Sequence, residues 1–513
     1  MVPDTVLEII AQGAWNGGNL VDNSIYEDKG MMFKGGTPVN HKTIEERIGV
    51  RTRVVAPPDE RIGVSAMQDL MQTSDIDPAR IKLVIGATNI GEDKRDSGPL
   101  IRHPFEIVQG DCPDALVLDL YAGCPGFNVS VELVFMMSLA GFLKPGDLSI
   151  IVGAENPHRA EVFKPNDTAN IIFGDDALAT ALATRGGVYR PESKCLTARV
   201  KFDAGEDFVS SIAERLAEIL GPNQLDGLIV DNQLGKIEHR VPATAARVQH
   251  HLVEQINPKE VASGTFNRFR KALAFYDQHV NAFAFDIMTV DQQPDHIVKI
   301  ANAYVASGKY KRIASVYLAP DRSVVLSLHE GKARYDQRPK WGVIDSLTRT
   351  HGCFAHYIEV LPFTVRENMF GKMNGKGVFL HATRGAKYHL KALMSPNNLA
   401  MGDIDLLIEH QANFAMIPLT LEQVLKNGQQ DLKNAVADVI ADKMVTNIHV
   451  RGNCSVVCMQ RLPYDLQRGA LRPDKIQGYP VNQNLEKLRQ AKIILYDSIG
   501  AGMTRSSFLE RKK

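Results

Sequence analysis

The sequence lacks long hydrophobic runs and an excess of charge of either sign. Its 513 residues contain no stretch of about 18 uninterrupted apolar residues, and the N-terminus has no basic segment followed by an apolar core. Lysine and arginine together number 59, and aspartate and glutamate also number 59. We therefore expect a cytoplasmic protein without a membrane span, and the balanced charge argues against nucleic acid as a partner.

Cysteine is also scarce. The six cysteines are at positions 112, 124, 195, 353, 454 and 458. They are too few and too scattered for a disulfide framework, so we expect free thiols and a reducing compartment. His449, Cys454 and Cys458 have a loosely metal-like spacing, but no second Cys/His pair accompanies them, and we predict no metal site.

What the sequence does contain is a regular alternation of apolar strands and helices. Residues 81–89 and 148–154 are short apolar runs of the kind found in strands buried on both faces. The helix predicted between them, at 128–143, is too apolar to face solvent, so we expect it to be central. Further helices are predicted at 207–220 and 296–308, and further strands at 225–231, 282–287, 312–319, 404–410 and 491–497. The pattern is typical of a layered α/β fold.

A single cysteine interrupts one of the strand-to-helix passages. In residues 116–137, LVLDLYAGCPGFNVSVELVFMM, we predict a strand at 116–120, a turn, and a helix with Pro125 in its first turn. Cys124 then lies at a helix N-terminus, where free N–H groups and the helix dipole favour the thiolate and lower the pKa of a thiol. This placement predicts a nucleophile. The alternative is a buried cysteine that only fills apolar space.

Two other corners carry side chains that could assist a nucleophilic cysteine. His410 ends a predicted strand just before a helix, and Asn453 lies in a Gly-Asn turn ahead of another helix, so we predict a strand-to-helix corner at both residues. Side chains at the carboxyl ends of neighbouring strands converge in layered α/β proteins, so the three corners are candidates for one site. The alternatives are a hydrogen-bonded core histidine and an asparagine that only caps a turn.

Five blocks of sequence occur in an order that is specific to one family. They are YAGCPGF (121–127), FGDDALATAL (173–182), EHQAN (409–413), RGNCS (451–455) and SIGAGMT (498–504). In this order they resemble β-ketoacyl-acyl-carrier-protein synthase III, a condensing enzyme of the thiolase superfamily. The likeness covers roughly residues 40–190 and 370–510. It implies a thiolase-like α/β fold, with duplicated α/β halves in a five-layer αβαβα core.

The resemblance also implies an active site made of Cys124, His410 and Asn453. Cys124 attacks an acyl thioester and carries the acyl group, while His410 and Asn453 donate hydrogen bonds to a malonyl-type extender as it decarboxylates to an enolate. The implied oxyanion hole consists of backbone amides of Cys124, Gly500, Ala501 and Gly502. No cofactor is implied.

Substrate recognition matches the family only in part. The implied substrate and coenzyme A contacts are Arg47, Arg159, Asn413 and Phe127, although the two arginines have an alternative interpretation as surface residues. Thr43 stands where the family has a tryptophan that packs on adenine, and Ala415 stands where it has an arginine for carrier-protein docking. These departures leave open how coenzyme A and the acyl carrier protein are recognised.

A basic cluster could replace the missing docking arginine. Its members are Arg366, Lys372, Lys376, Arg384, Lys387 and Lys391, with Glu367 as the one acid between Arg366 and Lys391. Such a cluster could attract an acidic carrier protein. The alternative is an ordinary solvated face.

Residues 191–325 have no counterpart in the compact family. We therefore divide the chain into an N-terminal half with the cysteine (1–190), a large α/β insertion (191–325), and a C-terminal half with His410 and Asn453 (326–513). The order of elements in the insertion parallels residues 70–154, but no cysteine follows its strand AFAFDI. Our hypothesis is a degenerate third copy of the half-domain that serves as a tunnel wall or a dimer surface.

These observations predict an acyltransferase that condenses an acyl-CoA or acyl-carrier-protein thioester with a malonyl or β-ketoacyl thioester, in fatty-acid or specialised polyketide-type metabolism. We expect a homodimer. Two alternatives stay open: transfer of the acyl group to a hydroxyl or amine by the same acyl-cysteine route, and a non-catalytic subunit of a heteromeric synthase.

Overall fold

The computed structural model describes residues 3–89, 99–160, 167–187, 194–201, 207–221, 223–234, 241–361, 370–426 and 431–513. The strands are β1 (Leu7–Ala14), β2 (Asn19–Asp22), β3 (Thr52–Val55), β4 (Ile81–Ala87), β5 (Leu116–Tyr121), β6 (Leu148–Glu155), β7 (Asp176–Thr184), β8 (Lys194–Lys201), β9 (Gly227–Asn232), β10 (Phe283–Thr289), β11 (Arg312–Leu318), β12 (Ser323–Glu330), β13 (Gly342–Thr350), β14 (Ile358–Leu361), β15 (Phe370–Met373), β16 (Leu406–Glu409), β17 (Asp474–Ile476), β18 (Tyr479–Val481), β19 (Ile493–Gly500) and β20 (Thr504–Arg511).

The α-helices are α1 (His41–Ile48), α2 (Ile62–Thr73), α3 (Arg102–Phe105), α4 (Gly126–Leu139), α5 (Pro157–Ala160), α6 (Phe208–Leu220), α7 (Thr244–Ile256), α8 (Pro258–Ala262), α9 (Phe269–His279), α10 (Pro294–Ala306), α11 (Gly375–Met394), α12 (Met416–Leu425), α13 (Leu432–Lys443), α14 (Ile448–Arg451), α15 (Cys458–Gln467) and α16 (Leu485–Gln490). Short 3-10 helices include Ser455–Val457 and Ala501–Met503. The strands and helices predicted from the sequence correspond to elements of this set, with ends that differ by a few residues.

Two sheets organise the chain. The large one has ten strands in the order β1-β7-β6-β4-β5-β10-β9-β11-β12-β8, and the small one has four in the order β13-β20-β19-β16. We call β1 and β4 to β7 the N-terminal half-sheet, and β8 to β12 the inserted half-sheet. The predicted boundary at residue 325 falls inside β12 (Ser323–Glu330), so the inserted half-sheet extends to residue 330. The two half-sheets meet where β5 and β10 pair in antiparallel fashion. Further two-stranded pairs are β2-β3, β14-β15 and β17-β18.

Helices cover both sheets and fill the space between them. Helix α4 contacts β4, β5 and β6 of the large sheet and β13, β19 and β20 of the small sheet, so it lies in the middle layer. Alternate residues of β4 explain this arrangement, because Leu83 and Ile85 join the apolar cluster of α4, whereas Val84 joins that of α2. Helices α2 and α7 cover the outer face of the large sheet, and α11 covers the small one. The layers run αβαβα.

Helix α4 is buried along its whole length, as predicted from its composition. It nevertheless carries four polar side chains, and each makes at least one hydrogen bond, which offsets part of the cost of burial. Among the described residues, Asn128 Oδ1 is left without a hydrogen-bond partner. Asn128 donates to the Ser506 carbonyl at 2.8 Å, Ser130 to the Gly126 carbonyl at 2.8 Å, Ser138 bonds Thr184 at 2.9 Å, and Glu132 accepts from Tyr310 and Thr348.

The six cysteines are all free, as the sequence predicted. Within the described ranges, no helix is both long enough and apolar enough to cross a lipid bilayer.

Candidate active site

Cys124, His410 and Asn453 come from three remote parts of the chain and line one pocket. The pocket has an empty volume of about 870 Å³, counted out to its opening towards solvent. Most of its wall is apolar, with contributions from Phe173, Val241 and other side chains. A mostly apolar pocket with a few convergent polar groups is the usual form of a small-molecule site.

The turn that carries Cys124 is fitted against a second turn. Gly123 has a φ of +74°, and a Cβ at this position would lie 2.4 Å from the backbone nitrogen of Ala501. On the other side, a Cβ on Gly500 would lie 2.2 Å from the backbone nitrogen of Cys124. Only glycine permits these two approaches. The backbone nitrogens of Cys124 and Ala501 are therefore brought to the same corner of the pocket.

The helix after Cys124 begins slightly later than predicted. Pro125 is the N-cap residue with φ −72° and ψ 6°, and α4 starts at Gly126. Cys124 is thus the residue before the N-cap, and Pro125 is the cap instead of a residue of the first turn. It still lies at the end of the helix where the unpaired N–H groups are found.

Burial dominates the ionisation of the Cys124 thiol. It raises the pKa to about 11, whereas a hydrogen bond from Ser455 acts in the opposite direction and the nearby Glu155 raises the pKa further. The sequence had predicted a lowered pKa at the helix N-terminus. Desolvation outweighs that effect here, so the resting thiol is protonated at neutral pH and must lose its proton during the reaction.

Ser455, which was not predicted as a site residue from the sequence, connects the thiol to a buried carboxylate. The Ser455 hydroxyl lies 3.6 Å from the Cys124 sulfur and 3.5 Å from Glu155 Oε1. Asn89 Nδ2 donates to the same hydroxyl at 2.9 Å, and the Asn89 N–H donates to Glu155 Oε1 at 2.6 Å. The available signal was the RGNCS block, in which Ser455 follows Asn453 by two positions.

His410 is held at the end of a strand with its ring free to bind a substrate. Its backbone N–H donates to the Asp497 carbonyl at 2.8 Å, which extends the pairing of β16 with β19. In the part of the chain that the structure describes, neither ring nitrogen has a hydrogen-bond partner. Burial lowers the pKa of His410 to about 4 against the opposing influence of Asp497. The imidazole is therefore neutral at pH 7 and can donate from one nitrogen.

Asn453 is oriented by its neighbours so that its amino group is available. Its backbone N–H donates to the Ile172 carbonyl at 2.8 Å, and its carbonyl accepts from the Gly174 N–H at 3.1 Å. The side-chain oxygen accepts the Ser455 N–H at 2.8 Å. Because the oxygen is engaged in this turn, the Nδ2 amino group is the end left to donate into the pocket.

The predicted substrate contacts do not gather at the pocket. Phe127 is 1% exposed and packs edge-on against Phe508, with ring centroids 6.2 Å apart, so it is a core residue. Arg47 is exposed, donates to Thr37 at 2.7 Å and lies over the Phe33 ring. Neither side chain lines the pocket that contains Cys124.

Asn413 also has a local role. Its side-chain oxygen accepts the Ala415 N–H at 2.9 Å at the start of α12, and its neighbours Ala412 and Met416 line the pocket in its place. Gly502, with a φ of +76°, shapes the turn after Ala501. The side chain of Arg159 lies outside the described residues.

The positions that depart from the family pattern also take structural roles. Thr43 forms a capping box with Asn40 at the start of α1, and Ala415 is the N-cap residue of α12. Of the basic cluster, Lys376, Arg384 and Lys391 are exposed on α11, while Arg366 and Glu367 lie outside the described residues.

The remaining members of the RGNCS region do not enter the pocket. Cys454 is 2% exposed and lies next to Asp176 and Arg451, where burial raises the pKa of its thiol. His449 faces Asp474 at 3.5 Å. Among the described residues, no group of three metal-ligating side chains is found.

The sequence has recognisable relatives, although no protein-family model matches it. It is 27% identical to the β-ketoacyl-[acyl-carrier-protein] synthase III of Rickettsia felis over 244 residues, which make up 45% of this chain and 68% of that relative. It is 25% identical to the Helicobacter pylori enzyme of the same name over 250 residues, 45% of this chain and 67% of the relative. These relatives confirm the predicted resemblance and the prediction of an acyl-transferring condensing enzyme.

Solved structures of a β-ketoacyl- and a 3-oxoacyl-(acyl carrier protein) synthase III share the fold. The Thermus thermophilus β-ketoacyl-[acyl-carrier-protein] synthase III has a TM-score of 0.52 with 16% identity, over 99% of both chains. The Pseudomonas aeruginosa protein has a TM-score of 0.50 with 15% identity, over 99% of this chain and 98% of that one. The predicted thiolase-like fold is confirmed.

Proposed function

We propose that this β-ketoacyl-acyl-carrier-protein synthase III-like chain joins an acyl thioester to a malonyl-type thioester through an acyl group carried on Cys124. The observation that supports this proposal is the meeting of Cys124, His410 and Asn453 in one apolar pocket, with the backbone of Ala501 against the Cys124 turn. A nucleophile, two neutral donors and a pair of backbone N–H groups suit acyl transfer followed by enolate formation.

In the first step the Cys124 sulfur attacks the carbonyl carbon of the acyl thioester. A new carbon–sulfur bond forms, the bond to the carrier thiol breaks, and the Cys124 proton ends on the departing thiolate. Negative charge develops on the carbonyl oxygen, and the amides of Cys124 and Ala501 are the donors for it. Ser455 and Glu155 are placed to hold the proton between its departure from Cys124 and its delivery.

In the second step a malonyl-type thioester loses carbon dioxide. The electrons of the broken carbon–carbon bond form an enolate, whose oxygen accepts hydrogen bonds from His410 and from the amino group of Asn453. The enolate carbon then attacks the carbonyl carbon of the acyl group on Cys124, the carbon–sulfur bond breaks, and the departing Cys124 thiolate takes up a proton to regenerate the resting thiol. Because burial keeps His410 neutral, its ring donates without placing a full charge beside the enolate.

The acyl chain occupies the apolar part of the pocket. Its wall is built from Phe173, from Ile358 and Val360 of β14, and from Val241, which precedes α7. Each buried methylene contributes about 0.8 kcal/mol to binding, so a wall of this kind selects chains by length. The donor is an acyl-CoA or an acyl carrier protein, and the exposed bases of α11 are the surface we assign to an acidic carrier. The cytoplasmic location stays a prediction.

Intact-protein mass spectrometry with a panel of acyl thioesters tests the acyl-enzyme. We expect a mass increase of one acyl group for the preferred chain, and its absence in Cys124→Ser. Addition of malonyl thioester labelled in its free carboxyl group then releases labelled carbon dioxide and removes the acyl group as a β-ketoacyl product. Loss of the acyl group to an alcohol or amine without carbon dioxide release would instead establish ester or amide formation.

A further inference from the structure

The two half-sheets of the large sheet have the same architecture. Going outward from their junction, the N-terminal half-sheet runs β5, β4, β6, β7, β1, and the inserted half-sheet runs β10, β9, β11, β12, β8. In each, the outermost strand comes first along the chain and the other four follow in the same order. The first three strands are parallel to one another, and the last two are antiparallel to their neighbours.

A buried aspartate marks equivalent positions in the two half-sheets. Asp119 in β5 and Asp286 in β10 are both fully buried, and each accepts hydrogen bonds from two successive backbone amides of the segment that follows the neighbouring parallel strand. The donors are Leu100 and Ile101 for Asp119, at 2.6 and 3.0 Å, and Thr244 and Ala245 for Asp286, both at 2.8 Å. Two carboxylates thus fix the same kind of turn in the same place.

The pairing register between β5 and β10 is symmetric about a local two-fold axis. If Asp119 is equivalent to Asp286, then Tyr121 is equivalent to Met288. The observed pairs are Asp119 with Met288 and Tyr121 with Asp286, so exchanging the two strands reproduces the same pairing. Helices α4 and α10, which follow these strands, also pack against each other. This self-complementary arrangement is what the interface of a symmetric dimer requires.

The inserted half-sheet has no cysteine at the position equivalent to Cys124. Cys124 follows Asp119 by five positions, and Asp291 occupies the corresponding place after Asp286. Close by, the Asp231 carboxylate accepts from the Thr289 hydroxyl at 2.8 Å and from Gln233 at 2.5 Å. Among the described residues of this corner, no thiol stands at the position equivalent to Cys124.

We infer that residues 194–330 are a degenerate copy of the N-terminal half that occupies the place of a second subunit, so that a single chain is the complete catalytic unit and the homodimer expected from the sequence is not needed to complete the site. The copy covers the β5 edge, whose hydrogen-bonding groups are then unavailable to another molecule. It also contributes to the catalytic pocket, because Val241, just before its helix α7, lines the pocket with Cys124 and its carbonyl accepts the Val360 N–H at 2.8 Å.

The first test measures the mass and the specific activity of the full chain as it is diluted to nanomolar concentration. We expect the mass of one chain and a constant activity per chain. A mass of two chains at that concentration, or an activity that falls on dilution, would overturn the inference. Iodoacetamide labelling of Cys124 provides a readout of the folded site that does not depend on the substrate.

The second test examines the contribution of Val241 and rests on the proposed function. Val241→Phe is expected to shift the preferred acyl chain of the Cys124 adduct to a shorter one, while Val261→Phe, at an exposed position of the same segment, leaves it unchanged. An unaltered preference in Val241→Phe would show that the inserted copy does not shape the pocket. If the wild-type chain accepts no acyl thioester, the proposed function fails, and the mass measurement alone decides the inference.

Discussion

The corner after β5 and the corner after β10 follow strands of the same arrangement, but different side chains surround them. Both follow a strand with a buried aspartate that holds the preceding turn. The first has Cys124 against the glycine-rich turn at Gly500 and shares its pocket with His410 and Asn453. The second has an exposed Asp291 that pairs with His296 at 3.0 Å. The buried aspartate supports the scaffold that the two corners share, whereas the proposed chemistry also needs His410 and Asn453 from the C-terminal half.

The largest difference should appear when the residue at each of these two corners is substituted separately. Cys124→Ser is expected to lower turnover by at least about 1,000-fold, because the nucleophile of the covalent route is replaced. Asp291→Ala, at the corresponding position, should leave turnover unchanged. Turnover by carbon dioxide release and acyl loading by intact mass are the measurements. Comparable losses in both variants would mean that the second corner also participates.

The second-largest effect should come from removing His410, a hydrogen-bond donor that faces only the corner of Cys124. His410→Ala is expected to lower decarboxylation by about 100- to 1,000-fold, since one hydrogen bond to the enolate oxygen is lost. Acyl loading of Cys124 should stay nearly unchanged, with His296→Ala as the control in the inserted half. Equal losses of loading and condensation would show that His410 also removes the thiol proton.

The shared aspartates can be compared through stability. Asp119→Ala and Asp286→Ala each leave two buried backbone amides without an acceptor, so each should lower the free energy of unfolding by about 2–4 kcal/mol. Glu214→Ala, at an exposed position of α6, should change it by less than about 0.5 kcal/mol. Denaturant unfolding measures the three values. A large loss at only one aspartate would contradict their equivalence.

Ser455 should have a smaller effect, confined to the reactive corner. Its hydroxyl lowers the pKa of Cys124 against the effect of burial, so Ser455→Ala should raise that pKa further. Thiolate is the reactive form, and we expect alkylation by iodoacetamide at pH 8 to slow by about 3- to 10-fold. The rate should rise with pH up to a higher midpoint than in the wild type. Ser263→Ala, an exposed control, should keep the wild-type profile.

The smallest expected effect is the absence of a pH transition. Burial lowers the pKa of His410 to about 4, so the donating neutral ring persists as the pH falls from 8 to about 5 and is lost only near the lowered pKa. Carbon dioxide release from the preloaded acyl-enzyme should therefore show no inflection near pH 6.5. An inflection near pH 6.5 that is missing from the residual activity of His410→Ala would mean that solvent reaches the His410 ring.

Much of the candidate site was accessible from local sequence patterns. The strand-to-corner passages before Cys124 and His410 follow from short apolar runs that end at turn residues. Asn453 was also predicted at a strand-to-helix corner, but the residues before it form α14 (Ile448–Arg451) and not a strand. The three side chains nevertheless line one pocket. The predicted contacts of Phe127 and Arg47 rested on position in the family pattern alone. They failed to reach the pocket because the direction of a side chain depends on its packing.

The sequence by itself determined that strands and helices alternate, which helix is buried and which residue types stand near the corners, because these depend on the periodicity of neighbouring residues. Only the tertiary structure decided that β10 covers the edge of β5, that Val241 enters the pocket, and that the Cys124 thiol stays protonated. Each of these depends on which remote groups come into contact and how much water they exclude, and local propensity carries no information about either.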